Sequence, residues 1–111
     1  MQLEITGHHF SISDRIREYV DESAGKLEKF YTPILGCHVK ITQEGRGFRV
    51  HMTAHVHGQS LVSRHEADKV YAALDSATDK MVRQLKKLHD KRRRPRSAHH
   101  AAAQAGADVE D

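Results

Sequence analysis

The chain has 111 residues, with 18 Lys or Arg against 15 Asp or Glu, enough for one domain with a two-layer core and too few for a second. No apolar run approaches the roughly 18 residues of a membrane span. The start, MQLEITGHHF, lacks the basic and apolar stretches of a secretory signal. The single Cys37 excludes an internal disulfide framework, so a reducing compartment, the cytoplasm, is expected.

In chain order, Gln2 to Thr6 alternates polar and apolar side chains with Leu3 and Ile5 on one side, as a half-buried strand does, and Gly7 is expected to end it. Ser13 is a good N-cap, and Asp14 in the first turn suits the helix dipole. Ile16, Val20, Ala24, Leu27 and Tyr31 then step at helical spacing until Pro33. Two runs of period two follow. In the first, Cys37, Val39 and Ile41 alternate with His38, Lys40 and Thr42. The second, Phe48 to Val56, comes after the turn Glu44-Gly45-Arg46-Gly47. His57-Gly58 reads as another tight turn. The next strand, Ser60 to Arg64, has an ambiguous inward face because Leu61 and Val62 are adjacent.

The last ordered element is expected to begin at an Asp68 N-cap and run to about Arg94, where Pro95 stops it. Val70, Leu74, Ala77, Met81, Leu85 and Leu88 form its apolar stripe. The order β-α-β-β-β-α predicts an α+β fold: a two-layer domain with a four-stranded mixed sheet and two helices packed on one face. Residues 1–95 are thereby assigned to this domain. Residues 96–111, with no apolar periodicity, are expected to be a disordered, mildly acidic tail.

Charge is concentrated in Lys80–Arg96, where nine Lys or Arg face the single acid Asp90. Plotted at ~100° per residue, Lys80, Arg83, Lys87, Lys91 and Arg94 share one flank of the last helix, with Asp75 and Asp79 on the other. Mixed charge is how exposed helices usually stay soluble. A helix with so few acids to balance its cations points instead to a polyanionic partner. In the first helix Arg15, Lys26 and Lys29 share a flank with Glu22. If the helices lie side by side, the two flanks are placed to line one groove, although pairs such as Glu22 with Lys26 also suit an ordinary surface.

The ten histidines raise the question of a metal. His51, His55 and His57 alternate onto one side of their strand, and His55 and His57 stand roughly 7 Å apart at ~3.3 Å of rise per residue, with His38 a third candidate ligand. A polar, solvent-facing sheet surface, with its histidines available to contact RNA and to gain charge at lower pH, is the better reading, and no metal or other cofactor is expected. Cys37 alternates onto the buried side, as a core residue rather than a nucleophile, and no glycine-rich phosphate loop is present.

The segments LEITGHHFSISDRIREYV, KLEKFY, the Gly47-Phe48 strand and HEADKVYAALDSATDKMVRQLKKLHDK resemble the short bacterial ribosome hibernation factors, the family of hibernation-promoting factor and protein Y (ribosome-associated inhibitor A), over about residues 1–92. The resemblance implies a non-enzymatic translation inhibitor of idle, stressed or stationary-phase cells. It would bind the small ribosomal subunit and its rRNA in the decoding region, block messenger and transfer RNA, and be a monomer off the ribosome. It also implies that Lys26, Lys29, Lys80, Arg83, Lys87 and Lys91 contact RNA. Arg15, Lys86, Arg92, Arg93 and Arg94 extend the expected RNA-binding set. The alternative is a general structured-RNA-binding module or RNA chaperone without ribosome specificity. The C-terminal dimerisation domain of long family members is not expected here. The chain's ending, AAAQAGADVED, lies between those of the two short types, so promotion and prevention of ribosome dimerisation both stay open.

Overall fold

The computed structural model describes residues 1–93, with side chains as far as Lys91. The elements are β1 (Gln2–His8), α1 (Asp14–Leu27), β2 (Gly36–Glu44), β3 (Gly47–Val56), β4 (Gln59–Ala67) and α2 (Val70–Arg93). The strands form one sheet in the order β1-β2-β3-β4, with β1 parallel to β2 and the other pairs antiparallel. This is the expected mixed sheet. Arg94, Pro95 and the predicted tail lie outside the described residues.

The start of α1 follows its sequence signal. Ser13 Oγ accepts from the Ile16 amide at 3.2 Å, satisfying one of the donors that a helix N-terminus leaves open. Its end comes earlier than Pro33 suggested. After Leu27 the amides of Lys29 and Phe30 reach back three residues, to the carbonyls of Lys26 and Leu27, and this tighter turn closes the helix. Tyr31 is nonetheless buried, because the turn keeps it on the core side.

Other boundaries also shift. β1 continues through Gly7 to His8, which pair with Ile41 and Thr42. Gly7 matters for a different reason than strand ending: a Cβ there would stand 2.1 Å from the Phe10 carbonyl oxygen, so the returning chain requires glycine. Beyond this turn Phe10 packs edge-on against Phe48 at 5.4 Å between ring centres. β4 extends three residues past Arg64, with Ala67 opposite Phe48. Its inward residue is Leu61, and Val62 is half-buried on the opposite face. At the start of α2 the Ala73 amide bonds to the Lys69 carbonyl, so Lys69 takes the cap position expected of Asp68.

Alternation gives the strands one apolar face. Cys37, Val39 and Ile41 of β2 and Val50, Met52, Ala54 and Val56 of β3 are buried beneath Ile16, Val20 and Leu27 of α1 and Leu74, Met81 and Leu85 of α2. α2 covers β3 and β4, and α1 lies toward β1. Burial pushes the Cys37 thiol up to about 11, so it stays protonated among apolar neighbours. The helices meet through Tyr19, whose hydroxyl donates to the Asp75 carboxylate and whose ring packs edge-on against Tyr71.

Candidate nucleic-acid interface

α2 can present a row of cations because its opposite side is anchored. Met81 and Leu85 are fully buried, and the residue before each of them reaches the outer strand. Lys80 Nζ donates to the Arg64 carbonyl at 3.0 Å, and Gln84 Nε2 donates to the Val62 carbonyl at 2.7 Å. These two bonds satisfy backbone acceptors of β4, the edge of the sheet, where open carbonyls otherwise invite another strand. The other amide atom of Gln84, Oε1, is buried without a partner, so the Val62 bond is the one that holds this side chain.

The arrangement corrects the single groove expected between the helices. Lys80 leans on β4, away from α1, and Lys87 and Lys91 follow it at helical spacing. Asp75 sits on the α1 side, held by Tyr19. Lys86 also lies toward that seam, with its ammonium 5.1 Å from the centre of the Phe30 ring. Lys26, seven residues beyond Tyr19, belongs to the same side of α1. The basic side chains therefore form two strips: Lys80, Lys87 and Lys91 on the flank of α2 that faces β4, and Lys26 with Lys86 over the seam. Arg83 is exposed on the outer surface of α2, and Arg15 and Lys29 are exposed on and just after α1. Arg92 and Arg93 end α2 in its backbone, and Arg94 lies outside the described residues.

The histidines separate similarly. His51 and His55 stand on the uncovered face of the sheet, His38 stands on the same face of β2, and His57 is in the turn after β3. His38 Nε2 pairs with Thr6 Oγ1 at 2.9 Å, and His55 Nδ1 with Ser60 Oγ at 2.7 Å. Among the described residues no three His, Cys, Asp or Glu gather where they would hold a metal ion. No described helix is long and apolar enough to cross a membrane.

A family model described as sigma 54 modulation protein / S30EA ribosomal protein matches residues 3–93. The chain belongs to this family. Among its relatives, the ribosome hibernation promoting factor of Azotobacter vinelandii is 36% identical over 91 residues, covering 82% of this chain and 85% of the relative. The factor of the same name from Escherichia coli K12 is also 36% identical over 91 residues, covering 82% of this chain and 96% of the relative. The crystal structure of the Thermus thermophilus protein Y N-terminal domain superposes with a TM-score of 0.75 at 26% identity, covering 79% of this chain and 99% of that one. A Coxiella burnetii ribosomal subunit interface protein shares the fold, with a TM-score of 0.72 at 23% identity over 82% of this chain and all of that one. Membership thus agrees with the resemblance carried by the sequence segments.

Two cations of the uncovered sheet face, Lys40 and Arg64, escaped the sequence reading of the site. Strand alternation places each on that side, but only the pairing of Lys40 with His51, and of His51 with Arg64, brings them together.

Proposed function

We propose that the protein is a ribosome hibernation factor. It binds the small ribosomal subunit in the decoding region and inhibits translation by occupying the path of messenger and transfer RNA. The reading rests on family membership together with the basic strip of α2, anchored through Lys80 and Gln84 to the edge of the sheet. No bond is made or broken. A rigid domain with cations on its surface binds the RNA backbone by charge and shape, and excludes other RNA by volume. It acts in the cytoplasm and is a monomer off the ribosome. Lys80, Arg83, Lys87 and Lys91 would set the position of the domain, Lys26, Lys29, Lys86 and Arg15 would support it from the α1 side, and Arg92 to Arg94 would add electrostatic attraction.

Sedimentation with purified small subunits tests this reading. Binding should be retained at low salt and fall steeply as salt rises, because released counterions supply much of the driving force. Simultaneous Lys80→Glu, Arg83→Glu and Lys87→Glu should abolish co-sedimentation while the circular dichroism spectrum keeps its native form. Absence of wild-type binding at low salt would sink the proposal. Equal competition by an unrelated structured RNA would favour a general RNA-binding module.

A further inference from the structure

The sheet face turned away from the helices carries a cluster of charge outside the two basic strips. Strand register lays rows of side chains across this face, and one row reads Thr6, Lys40, His51, Arg64, one residue from each strand. With neighbouring strands ~4.8 Å apart, a hydroxyl, an ammonium, an imidazole and a guanidinium follow one another. Lys40 and Arg64 are exposed and His51 is half-buried between them.

The charged and titratable groups around His51 are mostly cationic. From β2 come Lys40 and His38, and from β4 comes Arg64. The neighbouring row holds Arg49 of β3, and this guanidinium takes both nearby acids, Glu44 at 2.8 Å and Glu66 at 2.9 Å. Glu4 of β1 lies in the row of His38. Burial first, then Arg64, Lys40 and His38, hold the His51 imidazole below its ordinary range. An anion seated over the row would offset this crowding of like charge.

The row also leads directly to α2. Arg64 sends its side chain onto the uncovered face, while its carbonyl at the β4 edge receives Lys80. The strip of α2 and the Lys40–His51–Arg64 row therefore meet at one residue.

We propose that the RNA-binding surface continues from α2 round the β4 edge onto the uncovered sheet face, where Lys40, His51 and Arg64 seat phosphates of an RNA strand. The inference builds on the RNA-binding reading above and adds a second face to it. The rows of this face carry a single apolar side chain, Val62, and no aromatic anchor of the kind that dominates protein interfaces. Histidine rings and cations suit RNA bases and phosphates. A phosphate beside His51 favours the imidazolium, so binding takes up a proton and tightens as pH falls from about 7.5 to 6.

Nuclear magnetic resonance with a ten-nucleotide oligouridylate at low salt tests this without the ribosome. The amide signals of Lys40, His51 and Arg64 should move together with those of α2, and the His51 pKa should rise by about half a unit or more on binding. The double substitution Lys40→Gln and Arg64→Gln, at exposed positions, should remove both effects and leave the α2 shifts in place. Shifts confined to α2, or a His51 titration unaffected by RNA, would overturn the inference. Sedimentation with small subunits reads the parent proposal separately. RNA shifts on both faces without subunit binding would keep the second face and discard the ribosome reading, and subunit binding with shifts on α2 alone would do the reverse.

Discussion

Tyr19 joins the two helices through one hydroxyl. Its bond to Asp75, then burial and the nearby carboxylates, push the phenol up to about 12 from 10.0. The native state therefore holds this proton more tightly than the unfolded chain. The stabilisation is complete below pH 10 and is lost as pH rises through about 12. Tyr19→Phe should cost about 1 kcal/mol in urea unfolding at neutral pH and should remove this part of the alkaline loss. Cys37 gives a second residue-level expectation. Buried and protonated, it should resist alkylation in the native protein at pH 8 and react once urea unfolds the chain, and rapid native labelling would contradict its place in the core.

At the scale of elements, α1 and β4 are legible in different degrees. The Ser13 cap and the Ile16–Val20–Ala24–Leu27 stripe are local features, and the helix follows them. It ends before Pro33 although Tyr31 keeps the apolar spacing, because that spacing continues through a turn that is no longer α-helical and periodicity alone does not distinguish the two. β4 runs past Arg64 for a related reason. Its last three residues alternate with little apolar contrast, and pairing with β3 is what makes them strand. Ser13→Ala should cost about 1 kcal/mol by losing the cap. Met81→Ala, which empties a fully buried position of α2, should cost about 2–5 kcal/mol. Both losses are measurable by urea unfolding. Met81→Ala should also weaken RNA binding under conditions where the protein is partly unfolded, because the same helix carries the basic strip.

For the molecule as a whole, the proposed function asks one helix both to carry exposed charge and to be anchored on the sheet. If the α2 strip contacts phosphates, each of Lys80→Gln, Lys87→Gln and Lys91→Gln should lower the slope of log K against log salt by about 1. An unchanged slope with reduced affinity would place that residue's role in packing, a result most informative at Lys80, which also bonds to β4.

The element order, the apolar face of both helices and of the first three strands, the N-cap of α1 and the concentration of positive charge after Lys80 could all be read from the amino-acid sequence, because caps and periodicity act between residues a few positions apart. Family membership was legible for the same reason, in contiguous segments. The tertiary structure alone decided that Lys80 and Gln84 clasp β4, that the basic flanks part into two strips instead of lining one groove, and that Lys40, His51 and Arg64 share a row. Those relations depend on strand register and on which side of α2 meets β4, and both are set by long-range pairing and packing that no local pattern encodes.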